Sequence, residues 1–349
     1  MRVRRADGPD LELEASVVLI ATGSSPYHPR SVPFDHRVIY DSDSILRMSH
    51  IPKTMAIVGG GVIGSEYACI FTALGVNVAL VDVRDRLLPF VDGEIARRLE
   101  AELRRLGLRF IFNDRVLEVA VHDDGAALRL QSGEVLRCEI ALFAAGRQSN
   151  VGGLGLEAIG VELRERGLIV VNDHYQTCVP NVYAAGDVIG FPALASTSME
   201  QARVAMVHAF DLKYKERIAT VLPLAVYTIP EIAMVGLSEE SCREKGIPYL
   251  VGRSFYDKSP RGQIIGDCTG MLKLIFSPGD KRLLGVHHIG ELASELVHIG
   301  AHVMASGETI DAFIQAVYNY PTLADSYKYA AYDGLGALSR WQAQSAQGA

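Results

Sequence analysis

A glycine pattern between two apolar segments is the feature of the sequence whose residue types and spacing most clearly point to chemistry. Gly59, Gly61 and Gly64 form a G-x-G-x-x-G pattern. An apolar strand pattern, Met55–Val58, precedes it, and an apolar helix pattern over residues 63–74 follows it. The first glycine would permit a tight turn, the second would let the backbone approach a pyrophosphate, and the third would let the helix pack on the strand. The helix N-terminus would offer unpaired N–H groups to phosphate oxygens. The pattern therefore predicts a dinucleotide site.

The charged residues after the next predicted strand bear on which nucleotide would bind. Asp82 follows the strand pattern Val76–Val81, and a carboxylate there can accept hydrogen bonds from the adenine ribose, which favours NAD. Arg84 and Arg86 stand close by, and a guanidinium group can pair with the 2′-phosphate of NADP. These residues therefore indicate both NAD and NADP, and a solvated role for the two arginines remains open.

Three other predicted strands end in small residues and glycine. Thr22-Gly23 ends the apolar stretch over residues 13–22, Gly146-Arg147 follows a buried strand pattern over 139–145, and Gly186-Asp187 follows a third. Asp187 alone could be a helix cap. Three similar strand ends in one chain favour ligand contacts instead, because parallel strands present their carboxyl ends at one edge of a sheet.

These segments together resemble the pyridine nucleotide-disulfide oxidoreductases. The motifs that carry the resemblance occur in the family's order: ATG at Ala21–Gly23, GGGxxGxE at Gly59–Glu66, AxGR at Ala144–Arg147 and TxxPxxYAxGD at Thr177–Asp187. The resemblance covers about residues 13–335 and implies FAD as a second cofactor. It implies that the following residues contact the bound cofactors: Thr22, Gly23, Gly146, Gly186 and Asp187. In the family, the glutamate at the position of Glu66 pairs with a lysine beside the flavin.

The resemblance also implies an α/β fold class: two Rossmann-like dinucleotide-binding domains, the FAD domain being incomplete, and a C-terminal α+β dimerisation domain. The expected boundaries are residues 1–50 and 147–218 for the remainder of the FAD-binding domain, 51–146 for the NAD(P)-binding domain, 219–336 for the dimerisation domain and 337–349 for a disordered tail. The dimerisation domain implies a homodimer. Few residues precede the first strand, so the chain resembles an N-terminally shortened member of the family.

The C-terminal segment distinguishes between reactions within the family. Disulfide reductases carry HxHPTxxE there, whereas this chain has Tyr320 in place of the second histidine and Asp325 in place of the glutamate. Tyrosine has a pKa of roughly 10 and is a poor base at neutral pH. The resemblance therefore implies the family's thiol-independent reaction, in which hydride passes between NADPH and NAD through FAD, with Tyr320, Asp325 and Glu66 as candidate catalytic residues. A lipoamide dehydrogenase-like disulfide reductase, or a shortened non-catalytic nucleotide-binding protein, remains the alternative.

Composition excludes several other classes of function. A net charge of -7 argues against nucleic acid as a partner. The apolar runs are too short to span a membrane, and the N-terminus lacks a signal-peptide pattern, so a cytoplasmic location is expected. The five cysteines have no metal or redox spacing. His298 and His302 lie four residues apart, but no third ligand accompanies them, so no metal site is expected.

Overall fold

The computed structural model describes residues 1–347. The strands are β1 Arg2–Val3, β2 Leu11–Glu12, β3 Val18–Ile20, β4 Ser24–Pro26, β5 Ile39–Asp41, β6 Thr54–Val58, β7 Asn77–Val81, β8 Arg109–Ile111, β9 Val116–His122, β10 Gly125–Leu130, β11 Val135–Cys138, β12 Ile140–Phe143, β13 Arg147–Ser149, β14 Val182–Ala184, β15 Leu224–Val226, β16 Ile232–Gly236, β17 Leu250–Phe255, β18 Met271–Phe276 and β19 Leu283–Ile289. The helices are α1 Val62–Ala73, α2 Gly93–Arg105, α3 Ala195–Ala209, α4 Glu239–Glu244, α5 Pro260–Ile265, α6 Ala293–Ala305, α7 Asp311–Gln315 and α8 Ser326–Gln347.

The chain forms two compact units, each built from two separate segments. The first unit comprises residues 1–27 and 146–219. Its strands β3 and β14 pair in parallel, and β4 pairs with β13 in antiparallel fashion. Ile20, Val182 and Val188 contribute to its small apolar core. This pairing brings the ends of β3 and β14, and therefore Thr22-Gly23 and Gly186-Asp187, to the same edge of one small sheet.

The second unit comprises residues 28–145 and 220–349 and contains the glycine loop. Its parallel sheet has the strand order β5-β12-β6-β7-β8. The chain runs outward from β6 through β7 to β8, and β12 lies on the opposite side of β6, so the order reverses between β6 and β12. Open α/β sheets bind ligands outside the carboxyl ends of the strands at such a reversal point. The glycine loop follows β6 at this point.

The C-terminal segment of the second unit is an antiparallel sheet of order β15-β16-β19-β18-β17. Helices α6 and α8 pack on this sheet. Val226, Met271 and Ile289 from the sheet belong to the same apolar core as Leu80 of the parallel sheet and Leu99 of α2. The nucleotide-binding segment and the C-terminal segment therefore share one core.

Several predicted elements differ from those in the structure. The strand predicted over residues 13–22 is confined to β3. Residues 13–16 are exposed, and Leu13 only extends the β1–β2 pair through backbone hydrogen bonds with Met1. The strand predicted over 168–171 is reduced to a single bridge between Leu163 and Ile169. Residues predicted as a disordered tail from 337 continue α8 to Gln347, and residues 348–349 lie outside the described part of the chain. Residues 28–50, expected in the FAD-binding segment, fall in the second unit.

The βαβ prediction is confirmed, since β6, α1 and β7 lie within two residues of their expected limits. Helix length and hydropathy provide a separate observation. In the described part of the chain, no helix is both long enough and apolar enough to span a membrane.

Candidate dinucleotide-binding site

Two of the three loop glycines are required by the protein itself. Gly59 has a φ of +110°, which side-chain-bearing residues rarely adopt, and a Cβ there would lie 2.5 Å from the carbonyl oxygen of Ala144. A Cβ on Gly64 would lie 1.8 Å from the carbonyl oxygen of Gly59. The first glycine therefore allows β6 to turn beside the end of β12, and the third allows α1 to pack on the turn.

Gly61 is different, because nothing in the described protein requires a glycine there. Its φ of -78° and ψ of -173° suit any residue, and a Cβ would meet no described atom within 4 Å. Gly61 is also the N-cap of α1, and no described side chain caps that helix. The loop thus leaves open space beside an uncapped helix N-terminus, which fits a pyrophosphate group.

Asp82 is buried and uses both carboxylate oxygens within the protein. Oδ2 accepts a short hydrogen bond from the Gly60 N–H and another from Arg84 Nη2 at 2.6 Å, while Oδ1 accepts from Arg84 N and Nε, both at 2.8 Å. Burial opposes ionisation, but the hydrogen bonds from Arg84 and Gly60 outweigh it and lower the pKa of Asp82. Asp82 is therefore an ionised anchor that orients Arg84 and ties the end of β7 to the glycine loop.

The segment after Asp82 is also held close to the glycine loop. The Leu88 N–H donates to the Gly60 carbonyl over 3.3 Å, and Arg86 Nη2 donates to the Pro89 carbonyl over 2.8 Å. The guanidinium of Arg84 remains about two-fifths exposed. Of the two candidate arginines, Arg84 is the one fixed next to the loop by a carboxylate.

The first unit contains a hydrogen-bonded chain at the predicted FAD residues. Arg147 Nε donates to Ser24 Oγ over 2.7 Å, and Ser24 Oγ donates to Asp187 Oδ2 over 2.7 Å. Asn150 donates to the carbonyls of Thr22 and Gly23. These bonds fix the two strand ends. Thr22 is exposed and Asp187 half-buried, so these residues remain accessible to hydroxyl groups of a ligand.

The remaining glycines of the first unit are explained locally. Gly186 has a φ of +82°, and its N–H donates to Gln201 Oε1 over 2.8 Å. Gly146 has a φ of +103°, and a Cβ there would lie 2.7 Å from Nη1 of Arg166, whose guanidinium stacks on Tyr27. Both glycines are therefore required by the backbone, whatever their part in cofactor binding.

The candidate catalytic residues occupy three different environments. Glu66 Oε1 accepts the backbone N–H of Tyr227 over 2.8 Å, which joins α1 to the segment after β15. Tyr320 is 69% exposed. Asp325 is half-buried, and burial of Tyr318 together with the charge of Asp325 raises the pKa of the Tyr318 phenol. The catalytic roles of Glu66, Tyr320 and Asp325 stay predictions.

The sequence interpretation overlooked one charged residue in a buried position. Lys273 lies within β18, in the otherwise apolar run Met271–Phe276, and is fully buried. A lysine in such a run requires carboxylate partners, so the apolar context was the available signal. The partners of the Lys273 ammonium are Asp92, Glu94 and Glu239. Among the described residues, these three carboxylates are the one group whose spacing could hold a metal ion, and the ammonium lies between them.

The chain is similar to proteins of a known family. Residues 2–209 match the family described as pyridine nucleotide-disulphide oxidoreductase. The chain belongs to the pyridine nucleotide-disulphide oxidoreductase family. Residues 222–331 match the dimerisation domain of the same family. The predicted fold class is thereby confirmed, and so are the predicted cofactors, since members of this family use FAD and NAD(P).

Individual family members give more detailed comparisons. A soluble pyridine nucleotide transhydrogenase of Yersinia enterocolitica is 43% identical over 341 residues, which cover 97% of this chain and 73% of that protein. The corresponding protein of Yersinia pestis is 42% identical over the same shares. The crystal structure of LpdA from Mycobacterium tuberculosis has a TM-score of 0.89 and 29% identity, covering 95% of this chain and 72% of that one. The HOCl-induced flavoprotein disulfide reductase RclA from Escherichia coli has a TM-score of 0.85 and 27% identity, covering 93% and 74%.

Proposed function

We propose that this chain transfers hydride between NADPH and NAD with FAD as the intermediate carrier. The observation that carries the proposal is the glycine at position 61. It faces open space at the start of α1, and no packing or backbone requirement of the described protein explains a glycine there. The relatives named as soluble pyridine nucleotide transhydrogenases support the choice of reaction. When bound, the flavin supplies the redox chemistry, and the protein's residues bind and orient the nucleotides.

Gly59, Gly61 and Gly64 hold the nucleotide pyrophosphate in this proposal. The backbone N–H groups at the start of α1 donate to the phosphate oxygens, and the positive end of the helix dipole favours the negative charge. Each such bond involves an ionised acceptor and is therefore stronger than a bond between neutral groups.

Asp82 and Arg84 would distinguish between the two nucleotides. The half-exposed Arg84 guanidinium can turn toward a ribose 2′-phosphate, because the phosphate would replace part of the negative charge that Asp82 provides. With NAD, which lacks that phosphate, Arg84 would stay on Asp82, and a single site would serve both nucleotides. The predicted direct contact between Asp82 and ribose hydroxyls is less favourable, since both oxygens of Asp82 are already hydrogen-bonded.

Thr22, Gly23, Gly146, Gly186 and Asp187 would contact the bound cofactors, as the family motifs imply. Asp187 would accept hydrogen bonds from hydroxyl groups of FAD. Its orientation is already set by Ser24 Oγ, so the carboxylate would need little rearrangement on binding.

Tyr320 favours hydride transfer between nucleotides over disulfide reduction. Tyr320 is exposed and stands where the disulfide reductases of the family carry the histidine that relays protons, and tyrosine is in general a poor base at neutral pH. We propose that Tyr320, Asp325 and Glu66 are catalytic residues of the nucleotide hydride transfer, as their motif positions imply. The dimerisation domain supports a homodimer, and the relatives named as soluble support a cytoplasmic location.

The direct test is an assay of NADPH-dependent reduction of thio-NAD by the purified, FAD-supplemented protein, with lipoamide as the competing acceptor. We expect thio-NAD to be reduced and lipoamide not to be. Reduction of lipoamide alone would show a disulfide reductase. Binding of nucleotide without turnover of either acceptor would identify a non-catalytic nucleotide-binding protein.

A further inference from the structure

A buried cluster of charges joins the start of α2 to the C-terminal sheet. Lys273 Nζ contacts Asp92 Oδ1 over 2.8 Å and Glu94 Oε2 over 3.0 Å, and it also donates to Glu239. An ammonium group has three N–H donors, so these three carboxylates satisfy it completely. Arg253 forms a forked contact with Glu94 over 2.9 to 3.0 Å.

The members of this cluster are held in their ionised forms despite burial. Lys273 and Asp92 have no exposed side-chain surface. Burial alone would lower the pKa of Lys273, but the hydrogen bonds to Asp92 and Glu239 raise it. Burial alone would raise the pKa of Asp92, but nearby positive charge and the Lys273 hydrogen bond lower it. Removing the ammonium would leave three carboxylates facing one another, so the cluster depends on Lys273.

Two carboxylates of the cluster, Asp92 and Glu94, lie at the C-terminal end of the segment that carries Arg84. Asp92 is the N-cap of α2, accepting the Glu94 N–H over 3.0 Å, and Glu94 is in the first turn. Residues 83–91, which we call the adenosine loop, directly precede this point. At its other end, Asp82 is bonded to Gly60. The adenosine loop is thus held to the glycine loop through Asp82 and the Leu88 N–H, its Leu87, Leu88 and Val91 side chains are buried in the core, and its C-terminal end is fixed by Lys273.

We propose that Lys273 is a positioning residue for nucleotide recognition: it fixes the C-terminal end of the adenosine loop, so that Arg84 is held beside the glycine loop in readiness for a 2′-phosphate. This inference rests on the proposed function, because it assumes that the adenosine loop contacts the nucleotide. Without Lys273, the stretch between Leu88 and Asp92 would be less ordered and the long Leu88–Gly60 bond next to it would be weakened, so the ligand would have to order this part of the loop on binding. The effect should be larger for NADPH than for NADH, since only NADPH engages Arg84 through a phosphate.

The test is calorimetric titration of the full chain with NADPH and, separately, with NADH, at a temperature at which each variant is folded by circular dichroism. Lys273→Met removes the charge and retains much of the side-chain volume. We expect it to raise the Kd for NADPH about tenfold and the Kd for NADH less than about threefold. Glu94→Gln is the milder variant, because Lys273 keeps Asp92 and Glu239; we expect about a threefold rise for NADPH alone.

Glu100→Gln is the matched control. It removes an ion pair from the same helix, the exposed Arg104–Glu100 pair, which lies two turns beyond Asp92. We expect its affinities to be unchanged. If Lys273→Met does not fold, Glu94→Gln decides the question.

Two results would overturn the inference while leaving the proposed function intact. One is wild-type NADPH affinity in the folded variants. The other is an equal loss of affinity for NADPH and NADH that follows the fall in melting temperature, which would assign the cluster to stability alone. A wild-type chain that binds neither nucleotide would instead refute the proposed function, and this inference with it.

Discussion

Gly61→Ala should separate nucleotide binding from folding. The new Cβ would enter space that is open in the structure, at a backbone conformation open to any residue. Alanine is a poorer N-cap than glycine by up to about 1 kcal/mol, and the reduced entropy of the unfolded chain offsets about 0.4–1 kcal/mol. We therefore expect the free energy of unfolding to change by less than about 1 kcal/mol.

The same methyl group should weaken nucleotide binding strongly, because it would occupy the space assigned to the pyrophosphate. Losing one hydrogen bond to a charged group costs about 1.5–3 kcal/mol. That cost corresponds to an affinity about 10 to 150 times weaker. Calorimetric titration with NADPH and with NADH measures this effect, and urea denaturation measures stability.

Two other glycines provide the controls for this experiment. Gly152→Ala also places a Cβ in open space, but far along the chain in the first unit, and should change neither quantity. Gly64→Ala would place a Cβ 1.8 Å from a carbonyl oxygen and should destabilise the fold by about 2 kcal/mol or more. Wild-type affinity in Gly61→Ala would refute the assignment of the open space to phosphate.

Three further outcomes follow from single residues of the structure. Arg84→Ala should weaken NADPH binding about 10- to 100-fold and NADH binding much less, as measured by the same titration; equal losses would contradict the role given to Arg84. Burial lowers the pKa of His288 to about 3, so below pH 6.5 the unfolded chain binds a proton that the folded chain does not. The contribution of His288 to the free energy of unfolding should therefore be fully present above pH 6.5 and fall by about 1.4 kcal/mol per pH unit toward pH 3. Urea denaturation across this range should show that the free energy of unfolding falls less steeply with pH in His288→Gln than in the wild type. Glu66→Gln retains an oxygen for the Tyr227 N–H and should be neutral, whereas Glu66→Ala should cost about 1 kcal/mol in thermal denaturation; an equal loss in both would show that charge matters more than the hydrogen bond.

The βαβ unit and its glycines could be predicted from the sequence because the signals are local. Apolar periodicity locates β6 and α1, and G-x-G-x-x-G encodes the turn between them. The partners of Asp82 could be predicted only in part: Arg84 is two residues away, but the bond to Gly60 depends on how β6 and β7 pair. Lys273 could be recognised as unusual, but Asp92 is 181 residues away, and no local pattern identifies such a partner.

The predictions that differ from the structure have equally physical explanations. The apolar run over residues 168–171 resembles a strand, yet strand formation depends on an available neighbour, and the described chain offers it only the single bridge at Ile169. The polar residues after 337 resemble a frayed end. They continue a helix whose earlier turns pack on β17, and Leu338 is still buried, so tertiary contacts and good helix-forming residues extend α8.

The core shared by Leu80, Leu99, Val226, Met271 and Ile289 affects how this protein could be divided or recombined. The family is recognised from two separate stretches of sequence, as if the C-terminal part were a module that genes could exchange. A hybrid joined near residue 220 would bring together apolar surfaces shaped for different partners. Its charge cluster would be complete only if one parent supplied Asp92 and Glu94 and the other supplied Glu239 and Lys273. Evolutionary exchange of the C-terminal domain should therefore succeed mainly when the preceding nucleotide-binding segment is inherited with it.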